Sequence, residues 1–414
     1  MVDRVSCIRG IDLSGNLPYA SRMDALTGRP PLAPTWSEPP RGGVAWTVPA
    51  LAVAATLVSI GLSWDISWHT TIGRDSFWTP AHIAIYLGGA SGGLIAGWLA
   101  LRTTYLAGAA ERAAAVGLWG GYAPFGAWIA IWGAVAMITS APFDNWWHNA
   151  YGLDVKILSP PHVLLFFGVI GLRLGTWMLL LREQNRRGGA SPAAAWLFCW
   201  IGGLIMGGTI GVFLEQIWPN RQHSSGYFRL TAILLPFFVS LIGRASKLRW
   251  GATIAVGGNM LFICSLIWIL PLFPATPRLG PIYNPVTHMV PPPFPQWEII
   301  LAVVFDLVRR RWPIGPGWRR ELAFAAVVGV LFVAVFLPAQ WEFAKFYLSP
   351  AANNWFFAGG RIWGYGIAPN PGQTEFGPDQ AGWQLGSILP TFGAAIAASF
   401  LGLRLGQWMT RVQR

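Results

Sequence analysis

Long uninterrupted apolar runs constrain this chain more than any other feature of its sequence. Hydrophobic residues make up 54% of the chain and charged residues only 11%, whereas a soluble domain carries about 25% charged residues. Apolar runs of this length predict helices that cross a bilayer, because a helix satisfies its own backbone hydrogen bonds. A membrane β-barrel is disfavoured, since its strands alternate apolar and polar residues. The sequence therefore predicts an all-α fold, a polytopic bundle of transmembrane helices.

The positions of the apolar runs predict about ten membrane segments. The eighth run is too short to span a membrane on its own, which predicts either a re-entrant segment or a helix longer than hydropathy shows. The predicted segments are 44–63, 80–102, 115–140, 160–182, 193–217, 226–243, 251–273, 297–308, 322–339 and 384–406.

Basic residues mark every second connection between these segments. Lys and Arg are concentrated in the N-terminal tail and in the loops after the even-numbered segments. By the positive-inside rule, this pattern places both termini in the cytoplasm and the other loops outside. It also accounts for the net charge of +12, so no nucleic-acid partner is expected. The expected surroundings are the lipid bilayer of the cell (inner) membrane, which the chain crosses many times.

The distribution of polar residues divides the chain into three regions. Residues 1–43 are rich in Pro, Gly and Arg, which predicts a polar cytoplasmic tail. They lack the apolar stretch and cleavage site of a cleavable signal peptide, so none is expected. Residues 44–185 contain four segments and form the predicted metal-binding core. Residues 186–414 form an additional transmembrane region, whose predicted outer loop at 340–383 is long and aromatic. Its Trp residues are compatible with an aromatic belt at the membrane interface, and its length also with a cap over a functional site.

Two matching polar motifs interrupt the apolar runs of the core region. Each motif holds one Asp and two His: Asp65-x3-His69-x12-His82 and Asp144-x3-His148-x13-His162. In both, the first His follows a Trp, and a Pro lies just ahead of the second His. A Gly and an Asp also lie four and six residues after each first His. Agreement at so many positions indicates an internal repeat.

The spacing of each motif predicts that its three polar side chains converge. Asp and His at positions i and i+4 share one helix face, with Cβ atoms about 5–6 Å apart. Thr79 and Ser159 are suited to N-cap the following helices, which begin with Pro. His82 and His162 then lie at the third position of those helices. A short hairpin returns each of these histidines to the preceding Asp-His pair.

Two imidazoles and a carboxylate form a metal triad with open coordination positions. Such a set suits catalytic copper, non-haem iron or zinc better than a closed structural site, and the residue types alone leave these metals open. The alternative is a set of interfacial polar residues that satisfy helix ends. Six ionisable groups in two matching sets at membrane depth favour function over that alternative. The predicted metal ligands are Asp65, His69, His82, Asp144, His148 and His162.

Further charged residues near the triads predict supporting roles. Arg74 and Asp75 lie close to the first triad, and Asp154 and Lys156 lie close to the second. Each pair is expected either to form a structural ion pair or to orient the ligating histidines through hydrogen bonds, without binding the metal itself.

The first motif resembles the copper-site segment of the C subunit of the particulate methane and ammonia monooxygenases. The likeness rests on Asp65-x2-Trp68-His69-x2-Ile72-x-Arg74-Asp75-x3-Thr79-Pro80-x-His82. With the second motif, it covers roughly residues 44–185. The second motif resembles the family's neighbouring site, which usually opens with Asn where this chain has Asp144. A faint likeness to the family's A subunit involves residues 247–253 and 284–293. The resemblance implies copper at both triads, other monooxygenase subunits as partners, and a trimeric assembly.

Three functions are compatible with these features. The first, which the resemblance favours, is a copper-dependent membrane monooxygenase subunit that uses O2 to oxidise a small substrate such as methane, a short alkane or ammonia. The second is a non-catalytic membrane protein for copper binding, transport or assembly. The third is a structural subunit of a membrane complex, which the presence of two complete triads argues against. The predicted topology places both triads towards the outer, periplasmic face.

Overall fold

The computed structural model describes residues 45–152, 159–186, 192–315, 317–367 and 381–412. Its architecture is an all-α bundle, as the apolar runs predict. Nine helices of the described residues are long and apolar enough to cross a membrane. The described residues belong to one compact unit, Val44–Arg414, and the predicted tail at 1–43 lies outside them. The functional division into a core at 44–185 and an additional region at 186–414 stays a prediction.

The helices largely follow the predicted apolar runs. In chain order they are α1 (Thr47–Thr71), α2 (Pro80–Tyr105), α3 (Ala109–Ala113), α4 (Phe125–Tyr151), α5 (Pro160–Arg186), α6 (Pro192–Gly211), α7 (Leu214–Ile217), α8 (Ser225–Ala245), α9 (Gly251–Ile269), α10 (Glu298–Arg311), α11 (Trp318–Leu331), α12 (Leu337–Leu348) and α13 (Leu385–Met409). Short 3-10 turns occupy Pro219–Arg221, Leu270–Leu272, Pro350–Ala352, Gly359–Arg361 and Ala381–Trp383.

The only described β-strands form a small hairpin that precedes α4. Strands β1 (Val116–Leu118) and β2 (Gly121–Ala123) pair antiparallel. Trp119 and Gly120 join them with positive φ angles of 48° and 79°, as a tight hairpin turn requires. The predicted third segment at 115–140 therefore starts too early, because this turn delays the helix to Phe125.

The predicted eighth segment is the short helix α10. With 14 residues it is about 21 Å long, so it does not span a membrane by itself, as predicted. An irregular segment at 289–297, in which only Trp297 is exposed, leads into it. Neighbouring side chains satisfy this backbone: Val290 N–H donates to Thr71 Oγ1 (2.8 Å) and Trp297 N–H to Gln340 Oε1 (2.7 Å). Irregular backbone at membrane depth is tolerated when protein surrounds it in this way.

Helix α10 ends at the connection between α8 and α9. Its Arg309 donates hydrogen bonds to the carbonyl oxygens of Gly243 (2.6 Å) and Leu248 (3.1 Å). The opposite end of α9 lies with the end of α1, because Arg278 N–H donates to Ile72 O (2.9 Å). We call the end of the bundle that contains Ile72 the triad end. The chain therefore returns through α10 to the other end of the bundle, in keeping with ten membrane segments.

One long helical stretch extends beyond its predicted end. Helices α11 and α12 are joined by a π-helical turn, Phe332–Phe336, into a continuous span, Trp318–Leu348, of 31 residues. Pro338 follows the π turn, and Pro lacks the N–H that a regular helix would use there. The predicted outer loop at 340–383 accordingly begins inside a helix, and residues 368–380 of that loop lie outside the described part of the chain.

Small residues allow the helices of the core region to approach closely. Gly126 and Gly133 of α4 face Gly168, Gly171 and Gly175 of α5, and a Cβ added at Gly133 would collide with the α5 backbone. Small residues at helix contacts are typical of membrane proteins, where close packing replaces the hydrophobic effect between helices. The packing of α4 on α5 is what positions the two parts of the second triad.

We expect Gly133→Ala to destabilise the bundle by about 1–3 kcal/mol, the usual range for an overpacked interior. The added methyl group would push α4 away from Gly168 and Leu172. Gly97→Ala in α2 is the matched control, because no other group lies within 4 Å of its added Cβ. Thermal unfolding of both variants in detergent checks this, and equal midpoints would contradict the packing argument.

Candidate metal centres

The ligands of the first triad come from the end of α1 and the start of α2. Asp65 and His69 lie one turn apart on α1, and His82 is the third residue of α2. A fourth side chain, Asp75, joins them from the intervening turn. One ligand atom from each of the four residues lies within 4.8 Å of all the others, and each residue is partly buried. We call Asp65, His69, Asp75 and His82 the first cluster.

The distances within the first cluster place both carboxylates against both imidazoles. His82 Nε2 lies 3.1 Å from Asp65 Oδ1 and 3.4 Å from Asp75 Oδ2. His69 Nε2 lies 3.4 Å from Asp75 Oδ2 and 3.8 Å from Asp65 Oδ2. The Nε2 atoms and the carboxylate oxygens therefore face a common centre. The sequence predicted three of these four groups as ligands.

A backbone hydrogen bond orients the imidazole of His82. Its Nδ1 lies 2.9 Å from the carbonyl oxygen of Ser76, and a carbonyl oxygen only accepts, so Nδ1 carries the hydrogen. The Nε2 lone pair then points towards Asp65 and Asp75. A metal-binding histidine commonly donates its other N–H to a carbonyl in this way, which sets the tautomer and the ring orientation.

Thr79 holds the turn that presents the Ser76 carbonyl. It occupies the N-cap position of α2, and Pro80 is the first helical residue, as predicted. Its hydroxyl does not cap the helix, however, since Thr79 Oγ1 accepts from the N–H of Ser76 (2.8 Å). Thr79 N–H donates in return to Ser76 O (2.9 Å). Thr79 therefore occupies the predicted N-cap position but does not make the predicted capping hydrogen bond. Its hydroxyl is already used by the turn, where it accepts from Ser76 N–H.

Asp75 has a more direct position than its predicted supporting role. Gly73 adopts a positive φ of 83°, a conformation that glycine adopts without strain. The chain therefore reverses after α1 and brings Asp75 back to the histidines. A Gly and an Asp at the same offsets follow His148, which is the signal in the sequence that identifies this residue.

Arg74 contributes through its backbone. Its side chain is exposed, and the structure shows no ion pair between Arg74 and Asp75. Its carbonyl oxygen accepts a hydrogen bond from the indole Nε1 of Trp68 (3.0 Å). This bond ties the turn to α1 beside His69, which explains a Trp at this place in the motif.

The second cluster consists of Asp144, His148 and His162. Asp144 and His148 lie one turn apart near the end of α4, and His162 is the third residue of α5. Asp144 Oδ2 lies 3.5 Å from His148 Nε2, and Asp144 Oδ1 lies 3.4 Å from His162 Nε2. The predicted convergence across a short connection therefore holds for the second triad as well. The predicted supporting residues Asp154 and Lys156 lie outside the described residues.

The two clusters are neighbours at the triad end of the bundle. Asp144 interacts electrostatically with His82 and Asp75 of the first cluster. Tyr86, one turn after His82 on α2, interacts with Asp65, Asp75 and Asp144. Its ring packs against the ring of Phe77, with a centroid separation of 5.2 Å. A cation in one cluster would therefore alter the field in the other.

The arrangement of donors fits a metal cation. Asp65 Oδ1 and Asp144 Oδ1 are buried, and the described groups that face them are imidazole Nε2 atoms, at 3.1 Å and 3.4 Å. In the first cluster, the Nε2 lone pair of His82 faces a carboxylate at 3.1 Å, and these groups repel unless a proton or a metal cation lies between them. Two imidazoles with one or two carboxylates are a donor set that copper, iron and zinc accept.

The C-terminal half of the chain supports the first cluster directly. Tyr365 N–H donates to Thr70 O (3.1 Å), and its side chain packs on Gly73. Ser67 Oγ donates to the carbonyl of Val290 (2.6 Å). These contacts hold the last turn of α1 and the turn that follows it. Nothing in the sequence pairs these segments, since more than 200 residues separate Ser67 from Val290.

We expect Asp75→Ala to lower the metal affinity of the first cluster at least about tenfold, the lower range for losing a group that orders a metal site. The reason is that its carboxylate faces both histidines of the cluster. Arg74→Ala is the control, because this neighbouring side chain is exposed. Competition with a chelator measures both affinities. A similar loss of metal affinity in both variants would show that the conformation of the turn, and not the Asp75 carboxylate, determines metal binding.

We expect Gly73→Ala to weaken metal binding at the first cluster, because a side chain at φ 83° is strained and would meet the ring of Tyr365. Gly152→Ala is the matched control: Gly152 has a φ of 89°, and no described group lies within 4 Å of its added Cβ. Titrations in a His148→Ala background isolate the first cluster. Equal affinity in Gly73→Ala and the parent would refute the proposed role of the turn.

No protein-family model, curated protein or solved structure matches this chain. The resemblance of the two motifs to copper-site segments therefore stays a hypothesis that rests on the residues themselves. The geometry described above is the independent observation, and it is compatible with metal binding at both clusters.

Proposed function

We propose that this chain is a membrane metalloprotein that binds copper at the first and second clusters and serves as the metal-bearing subunit of a monooxygenase. The observation that carries the proposal is the convergence of Asp65, His69, Asp75 and His82, whose ligand atoms lie within 4.8 Å of one another. Its partial repetition at Asp144 makes an incidental grouping of interfacial residues a poor account.

Copper is the metal that the motif resemblance favours, and the donor set accepts it. In the first cluster Asp65, His69, Asp75 and His82 would hold the ion, and in the second Asp144, His148 and His162 would do so. Bound copper would supply the redox chemistry that activates O2. Asp144, where the resembling family usually has Asn, adds a negative charge that favours a cation of higher charge at the second cluster.

The residues of the chain orient the ligands and shape the access to them. The Ser76 carbonyl fixes the ring of His82, while the more exposed His69 forms the open side of the first cluster, with 36% of its side chain accessible. Near the second cluster, the rings of Trp147 and Tyr151 pack with centroids 4.5 Å apart. The substrate is proposed from the motif resemblance alone: methane, a short alkane or ammonia.

The proposed setting is the cell (inner) membrane, with both clusters towards the periplasmic face. Basic residues at the opposite end of the bundle support this orientation, because Lys and Arg favour the cytoplasmic side. Arg309, Arg310 and Arg311 end α10 at that end. By analogy with the resembling family, the partners would be further monooxygenase subunits in a trimeric complex.

Metal analysis and electron paramagnetic resonance of the purified protein test metal binding. We expect copper signals from both clusters in the parent. His69→Ala should remove the signal of the first cluster, and His148→Ala that of the second, because each variant loses an imidazole ligand. Each variant serves as the control for the other, and a parent protein that takes up no metal would overturn the proposal.

Assays of O2 consumption and product formation in native membranes, with partner subunits present, test the oxidation step. We expect oxidation of a small substrate that stops when copper is removed and returns when copper is restored. Bound copper without any O2-dependent oxidation would instead support a non-catalytic protein for copper binding, transport or assembly.

A further inference from the structure

A buried arginine lies in the middle of the bundle, away from both clusters. Arg173 is the midpoint of α5, Pro160–Arg186, and only 8% of the residue is exposed. Arg173 donates a hydrogen bond to Ser59, which is likewise the midpoint of its helix, α1 (Thr47–Thr71). The pair therefore lies at the depth where a charged side chain is most costly, and where charges usually mark function.

The guanidinium of Arg173 makes little use of its hydrogen-bonding capacity. Its Nη2 donates to Ser59 Oγ (2.8 Å), while its Nε is buried and has no partner. Ser59 donates its own hydrogen to Ala55 O (2.8 Å), so it serves Arg173 only as an acceptor. A guanidinium carries five N–H donors in a fixed plane. Most of them lack an acceptor among the residues that the structure describes.

No counter-charge accompanies this cation. Within the described residues, no carboxylate oxygen lies within 4.0 Å of the guanidinium. The buried carboxylate of Glu321, by contrast, has a partner: it lies 3.0 Å from Arg404. A buried carboxyl group without a partner can take up a proton and become neutral. A guanidinium does not lose its proton in proteins, so Arg173 keeps its positive charge.

The neighbouring helix accommodates the guanidinium of Arg173 on one side. Gly208 of α6 lies against Nη1, and a Cβ at this position would collide with that atom. The preceding Gly207 similarly accommodates the side chain of Asn259 from α9, which is 5% exposed. Arg173 and Asn259 thus enter the same turn of α6, where two adjacent glycines replace side chains.

We propose that Arg173 is the centre of an anion-binding site inside the membrane bundle, which takes a small monovalent inorganic anion of the size of chloride. One fixed positive charge is neutralised by one monovalent anion, and the unused N–H donors supply its hydrogen bonds. The close approach of α1, α5 and α6 around the guanidinium favours a small ion over a large one. The site is separate from the metal clusters and does not depend on their occupancy.

Thermal unfolding of the full-length protein in detergent tests this site. The protein is purified without chloride, and unfolding is followed while chloride replaces gluconate at constant ionic strength. We expect a saturable rise of the unfolding midpoint with chloride, since a ligand that binds only the folded state stabilises it. An identical midpoint in chloride and gluconate would overturn the proposal.

Two variants localise the effect. Arg173→Gln should abolish the chloride dependence, while Arg112→Gln should retain it, because Arg112 is an exposed arginine and its loss removes the same charge. Retention of the chloride response in Arg173→Gln would overturn the proposal. If Arg173→Gln does not fold, Gly208→Ala decides, because its methyl group collides with Nη1. We expect a higher half-saturating chloride concentration in Gly208→Ala, and an unchanged value would overturn the proposal.

Discussion

Hydrocarbon offers no hydrogen-bond partner, and a chain that crosses it must satisfy its backbone internally. The long apolar runs therefore form helices, and polar connections collect at the two ends of the bundle. Both clusters follow from this constraint. Asp65 and His69 lie in the last turns of α1 and His82 in the first turn of α2, so a short turn is sufficient to bring three ligands from two rigid helices together.

The same constraint links the two halves of the chain. The irregular segment at 289–297 needs partners for its backbone, and side chains of α1 and α12 supply them. These bonds fasten the C-terminal half to the end of α1 beside the first cluster. Tyr365 adds a further bond to Thr70. The geometry of the first cluster therefore depends on residues far from it in sequence. The geometry of the second cluster depends instead on the close glycine packing of α4 against α5.

Low polarity also explains why charges in this bundle require specific compensation. At the clusters, carboxylates face imidazole nitrogens, and a proton or the proposed metal cation between them would relieve the repulsion. At Arg173, a guanidinium lies beside a serine hydroxyl, and the proposed anion would neutralise its charge. Electrostatic interactions are strong where water is excluded, so both proposals have the same physical cause. The two regions thus make opposite demands on their ligands, which allows metal binding and anion binding to be measured independently.

The amino-acid sequence was sufficient for the helical bundle, the short eighth segment and the convergence of both triads, because each depends on local patterns. Apolar runs predict spans, and an i, i+4 pair followed by a Pro-led helix predicts where the side chains meet. The sequence indicated Asp75 only as a supporting residue, since its place among the ligands depends on the backbone reversal at Gly73. The contacts of Val290, Arg278 and Tyr365 with α1, and the isolation of Arg173 from acidic groups, follow from how distant helices pack. Local patterns contain no information about those distances, so they became visible only in the folded chain.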